Sequence, residues 1–152
     1  MIVKFVDAAQ ERCRIARNVL DDLPEWFGIP EAKEEYIRES GNMPFFAVQH
    51  EGEAIGFMAL KETSAYTCEI YVTGVQKRYH RCGAGRKLFA AFEDYARGHG
   101  YRFVQVKTVA GGLYPEYDAT RMFYERVGFV ALEVFPTLWD ESNPCLVMIK
   151  AL

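Results

Sequence analysis

Val75-Gln76-Lys77-Arg78-Tyr79-His80-Arg81-Cys82-Gly83-Ala84-Gly85-Arg86-Lys87-Leu88 separates two different periodicities. Before it, Cys68-Glu69-Ile70-Tyr71-Val72 reads as a strand. After it, Leu88, Phe89, Phe92, Tyr95 and Ala96 recur at helical spacing. The turn between them carries Lys77, Arg78, Arg81, Arg86 and Lys87 besides His80, and it contains Gly83-Ala84-Gly85. A strand, a glycine turn and a helix start make an anion site. The first amides of a helix have no intrahelical partner, and its dipole favours negative charge there. The competing reading is a solvated basic turn, but the glycines and the helix start coincide with the charge.

Two common phosphate loops are excluded by the residues. No Gly-x-x-x-x-Gly-Lys-Ser/Thr string occurs, and Leu88 stands where a Gly-x-Gly-x-x-Gly loop would need its third glycine. The 152 residues suit one domain, 1–152, and a composition that is 50% hydrophobic can fill its core. A net charge of −3 argues against a general nucleic-acid binder. Cysteines at 13, 68, 82 and 145 show no metal-ligand spacing and no disulfide framework, so no metal is expected. No signal peptide or membrane-spanning run is read, and a reducing cytoplasm is the expected location.

In chain order, Ile2 to Phe5 reads as a strand. Asp7 then stands as an N-cap in capping-box register with Gln10, opening a helix to about Leu20. The connector 21–28 holds Trp26 and Phe27, which either plug the core or line a substrate site. Pro30 opens a second helix to about Ser40, with its glutamates on a solvated face. Phe45–Gln49 and Ala54–Leu60 form a hairpin about 50–53, and Tyr66–Val75 continues antiparallel. Gly74 within that strand predicts a bulge or a close backbone approach. Tyr101–Thr108 should pair parallel to it across the intervening helix. Asp118 is read as the cap of a helix with Ala119, Met122, Phe123 and Val127 on one face, ended by Gly128. Phe129–Phe135 and Cys145–Lys150 are the last strands, separated by a loop containing Trp139 and Asp140. The pattern is an α/β (α+β) domain with a mixed, mostly antiparallel sheet of six to seven strands and about four helices.

Two segments together resemble one family. The spacing of Val75, His80, Gly83 and Gly85 is similar to the acyl-CoA pyrophosphate loop of the GCN5-related N-acetyltransferases (GNAT), with His80 where Gln or Arg is usual. Tyr117-Asp118-Ala119-Thr120-Arg121-Met122-Phe123-Tyr124-Glu125-Arg126-Val127-Gly128-Phe129 resembles that family's second motif, with Tyr117 and Thr120 replacing its usual Asn and Ala. The resemblance implies an acetyl-CoA-dependent N-acetyltransferase that moves an acetyl group directly to a primary amine, without a covalent enzyme intermediate. It implies that Val75, Gln76, Lys77, His80, Arg81, Cys82, Gly83, Ala84, Gly85, Arg86, Lys87, Tyr117, Thr120 and Tyr124 hold the cofactor. It further implies that the Val75 N–H faces the developing oxyanion and that Tyr124 protonates the departing thiolate.

Glu69 interrupts an apolar strand. Period two places it on one face with Tyr71, Thr73 and Val75, six residues before Val75. The histone-acetyltransferase branch of the family has its general base there; the alternatives are a solvent-facing glutamate and deprotonation through waters. Trp26, Tyr71, Tyr114 and Trp139 are candidate acceptor-lining residues, an aromatic rim suited to a cation. The expected acceptor is a small-molecule amine, with no nucleic-acid or membrane partner. The rivals are a protein lysine or N-terminus, and a non-catalytic acyl-CoA-binding module. The aromatic-rich last strands are candidates for pairing in a homodimer.

Overall fold

The computed structural model describes all residues, 1–152. One seven-stranded sheet runs in the order β1-β2-β3-β4-β5-β7-β6. Its strands are β1 Ile2–Phe5, β2 Phe45–His50, β3 Glu53–Glu62, β4 Thr67–Val75, β5 Phe103–Val109, β6 Val130–Asp140 and β7 Asn143–Ala151. Four helices flank it: α1 Ala9–Asp21, α2 Pro30–Ser40, α3 Ala84–Gly98 and α4 Pro115–Arg126. All neighbours pair antiparallel except β4 and β5, which are parallel because α3 crosses between them.

Two apolar clusters fill the two faces. Leu88, Phe89 and Phe92 of α3 and Tyr124 of α4 pack with Phe46, Met58, Ile70 and Val106 on one face. Ile15, Val19 and Leu20 of α1 and Ile37 of α2 pack with Phe45, Phe57, Ala59 and Val72 on the other. The 3.6-residue spacing of the helices and the alternation of the strands account for both sets. No helix is long and apolar enough to cross a membrane.

Several expectations are corrected. The N-cap of α1 is Ala8 and makes no side-chain cap, so Asp7 and Gln10 form no capping box. Helix α4 starts at Pro115 with Tyr114 as N-cap, before Asp118, because proline suits the first turn. Asp118 instead accepts from the Gly112 amide and from Arg121. Met122 and Ala119 are exposed, and the buried residue of α4 is Tyr124. Trp139 and Asp140 belong to β6 rather than to a loop.

The bulge in β4 falls at Tyr71, not Gly74. Ala59 pairs with Val72 and Leu60 with Ile70, leaving Tyr71 extra. The extra residue changes the phase of alternation. Glu69 and Tyr71 lie on the α1–α2 face with Val72 and Gly74, whereas Thr73 and Val75 turn to the α3 face, so the four do not share one face. The other half of the Gly74 expectation holds. A Cβ there would stand 2.8 Å from Leu23 Cδ1 and 3.1 Å from Val19 Cγ1, so glycine lets α1 approach the strand closely.

Candidate active site

The turn after β4 gathers unpartnered amides and basic side chains at a helix start. A short 3-10 turn over Lys77–Tyr79 ends β4, and Arg81 and Gly83 take left-handed φ angles of 62° and 83°. Gly83 caps α3, whose first amide bond runs from Lys87 to the Gly83 carbonyl at 3.2 Å. The amides from Arg81 to Arg86 therefore have no backbone acceptor, and they cluster at the positive end of a helix. Arg81, Cys82, Arg86 and Lys87 are exposed around them, and Ala84 is buried, contributing its amide only. Lys77 is turned elsewhere: its amide donates to Asp22 Oδ2 at 2.7 Å and its ammonium pairs with Glu25.

Gly85 has a packing reason. A Cβ there would stand 3.0 Å from Phe123 Cε1, so α3 and α4 meet at this residue. Gly85→Val should shift Phe123 and destabilise the fold by about 1–3 kcal/mol, as overpacking does. Thermal melting checks this, and an unchanged midpoint would show that the helices part freely.

Beyond the turn, the sheet is open. β4 and β5 pair only at Thr67–Glu69 with Phe103–Gln105, and from Ile70 onward the two strands separate. The Gln76 amide donates to the Ile55 carbonyl at 2.8 Å, which makes Val75–Gly56 a non-hydrogen-bonded pair. The amides and carbonyls of Val75 and Thr73 therefore point away from β3, into the opening. His80 Nε2 donates to the Val75 carbonyl at 2.6 Å.

The α1–α2 connector straps this opening to α4. Trp26 Nε1 donates to Thr120 Oγ1 at 3.2 Å, and the Tyr117 hydroxyl donates to the Trp26 carbonyl at 2.8 Å. The Trp26 ring stands edge-on to His80, 5.8 Å between centroids. Trp26, Tyr117 and Thr120 thus form one hydrogen-bonded group, against which His80 packs edge-on.

Titratable groups approach the opening from both faces. Glu69 is 5% exposed. Its Oε1 accepts from Gln105 Nε2 at 2.6 Å and lies 3.4 Å from Lys107 Nζ, which meets the requirement that a buried carboxylate be paired. Tyr36 of α2 stands edge-on to Tyr71 at 5.3 Å and to Phe27 at 5.8 Å. Burial and then the Glu69 charge raise the Tyr36 pKa. Burial, followed by the charge of Glu35, pushes Tyr71 up to about 12. On the α3–α4 face, Tyr124 is 4% exposed between Phe123 and Phe129, and burial raises its pKa. Burial, and then the charge of Tyr36, also raise the Tyr117 pKa. The Thr108 hydroxyl of β5 is also buried and has no hydrogen-bond partner.

Tyr36, Gln105 and Lys107 were not legible as site residues. Tyr36 sits in a glutamate-rich helix that reads as solvated, and Gln105 and Lys107 meet Glu69 only through strand pairing. Tyr114 packs on Tyr117 at 5.9 Å beside α4. Trp139, 42% exposed near the end of β6, makes no aromatic contact with Trp26, Tyr71 or Tyr114.

The arrangement suits a ligand with an anionic end and an extended, amide-bearing arm, since it offers free amides at a helix start and free strand groups beside them. The family model described as the acetyltransferase (GNAT) family matches residues 7–129. A GNAT-family protein from Desulfovibrio desulfuricans is 21% identical, with TM-score 0.84, 99% of this chain and 98% of that one covered. Ard1 from Thermoplasma volcanium is 19% identical, with TM-score 0.77 and 100% and 99% coverage. An aminoglycoside 6'-N-acetyltransferase complexed with coenzyme A is 17% identical, with TM-score 0.74 and 99% and 97% coverage. At these identities the likeness is one of fold. No curated protein matches the chain.

Proposed function

The chain belongs to the acetyltransferase (GNAT) family, and on that premise we propose that it moves an acetyl group from acetyl-CoA directly to the primary amine of a small molecule. The observation that carries this reading is the strand opening. The free amide of Val75 and the free backbone groups of Thr73 continue from a turn of free amides, with Glu69 on the α1–α2 face and Tyr124 on the α3–α4 face.

Acetyl-CoA supplies an activated thioester and a thiolate leaving group. The amides from Arg81 to Arg86, with the Arg81, Arg86 and Lys87 side chains, would hold its phosphates. The strand groups of Val75 and Thr73 would take its amide-bearing arm, for which His80 must release the Val75 carbonyl. The Val75 N–H would donate to the thioester carbonyl oxygen, where negative charge develops. Glu69 would accept the proton of the attacking amine, and Tyr124 would donate its phenolic proton to sulfur. Tyr71, Tyr36 and Trp26 would present π-faces to a cationic acceptor, with Tyr114 at the rim.

A thiol-release screen across polyamines, amino acids, aminoglycosides and peptides tests the reading. Turnover is expected with a small amine. Turnover with peptides alone would favour a protein acceptor. Stabilisation by acetyl-CoA without turnover would mark a binding module. Bound at 100 times its Kd, acetyl-CoA should stabilise the fold by about 2.7 kcal/mol, read as a raised melting midpoint.

A further inference from the structure

Lys107 is a cation in the strand opening to which the chemistry above gives no part. The last rung between β4 and β5 joins Glu69 to Gln105, and Lys107 follows on β5, where the strands have separated. Period two puts it on the α1–α2 face with Gln105, while Val104 and Val106 turn to the α3 face. Its Nζ lies 3.4 Å from Glu69 Oε1, longer than an ordinary hydrogen bond, and the side chain is 37% exposed. The ammonium therefore keeps its donors for something else. Glu69 Oε1 already accepts from Gln105 Nε2, so Oε2 is the oxygen left for an acceptor's amine.

A purely cationic acceptor fits these surroundings poorly. As it approached Glu69 it would meet the Lys107 charge beside it. Lys61 of β3, opposite Glu69 in the ladder, holds its Nζ 5.4 Å over the Tyr71 ring, so one aromatic face already has a cation from the protein. A further cation here costs free energy unless an anion comes with it.

We infer that the acceptor carries a carboxylate beside its amine, as an α- or β-amino acid does, with the amine on Glu69 and the carboxylate on Lys107, an assignment that rests on the acetyl transfer proposed above. Because Nζ lies so near the carboxylate that receives the amine, the acceptor's two groups must be parted by only one or two carbons. A phosphate, with its larger negative charge, would be repelled more strongly by Glu69 itself. In the transfer, the amine nitrogen bonds to the acetyl carbonyl carbon and the C–S bond breaks. The amine's proton passes to Glu69, and sulfur takes a proton from Tyr124. The products are an N-acetylamino acid and CoA. Lys107 binds the acceptor and moves no proton.

The test is thiol release from acetyl-CoA at pH 7, with amino acids and with the same amino acids as carboxamides. The carboxamide keeps the amine and loses the negative charge. Its kcat/KM should be about 10- to 100-fold lower, the scale of one charged hydrogen bond. The carboxamide's amine is less basic, and more of it is neutral at pH 7, so a preference for the acid cannot come from amine reactivity. A ratio near one in the unaltered protein overturns the inference. Lys107→Met should raise the KM for the acid and bring the ratio to within about threefold, whereas Lys107→Arg, which keeps a cation, should preserve the preference. An equal fall for acid and carboxamide in Lys107→Met would mean that Lys107 only holds Glu69, and overturns it too. Turnover of polyamines or aminoglycosides, with none of amino acids, overturns it and leaves acetyl transfer standing. No thiol release with any amine overturns both.

Discussion

Tyr124→Phe should lower kcat by about 10- to 1,000-fold, equivalent to about 1.4–4.1 kcal/mol of transition-state stabilisation, while the KM for acetyl-CoA changes little. The substitution removes one oxygen from a buried ring that keeps its edge contacts with Phe123 and Phe129 at 5.6 Å each. Burial, and then the charge of Tyr36, raise the pKa of this phenol. The fold is therefore expected to survive, and the loss to be chemical. The raised pKa keeps the proton in place across neutral pH, so no alkaline limb of the wild-type kcat profile below pH 10 should belong to Tyr124. The sign extends to stability. A phenol whose folded pKa lies above its ordinary value of 10 contributes stability below that value, and loses it as pH rises through the folded pKa. Alkaline unfolding should accordingly be milder in Tyr124→Phe. An unchanged kcat, with chemistry shown to limit turnover, would return Tyr124 to packing.

Glu69→Gln should lower kcat at pH 7 by about 100-fold, in keeping with loss of a general base. Activity should partly recover at higher pH, where more of the acceptor amine is already neutral. The surroundings make the experiment interpretable. Gln105 Nε2, now 2.6 Å from Glu69 Oε1, can donate equally to the carbonyl of a glutamine. The Lys107 side chain, 37% exposed, can turn to water when its partner loses charge. The structural cost should therefore be about 1 kcal/mol, the scale of one hydrogen bond. The measurement is the pH–rate profile of both proteins with one acceptor. Superimposed profiles would assign the proton to a water chain or another carboxylate.

Which parts of this arrangement the sequence already displayed follows from the range of the forces involved. Helix α3 and the turn before it are local. Gly83 must be left-handed, the apolar spacing from Leu88 to Ala96 is helical, and the free amides follow from where a helix begins. Pro30 opening α2 and the β2–β3 hairpin are local in the same way. The parallel pairing of β4 with β5 follows from a helix lying between two strands, a constraint of chain geometry.

The bulge at Tyr71 was not legible, because β4 is continuous in composition and the extra residue is defined only against Ala59 and Leu60 of β3. That one residue decided the faces. It turned Glu69 and Tyr71 toward α2 while sending Val75 to the α3 side, which simple alternation contradicts. The start of α4 at Pro115, rather than at Asp118, went with Asp118 being drawn to the Gly112 amide by the fold of the preceding loop.

By itself, then, the sequence determined the order of elements and the glycine turn before α3, since each depends on contacts within a few positions; Glu69 stood out as a charge in an apolar strand, and Tyr124 through the resemblance to the family's second motif. Only the tertiary structure decided that Trp26 closes on Thr120, 94 residues away, that Lys107 and Gln105 hold Glu69, and that Tyr36 stands edge-on to Tyr71. Those contacts depend on strand register and helix placement, which the packing of the whole chain sets and no short segment encodes.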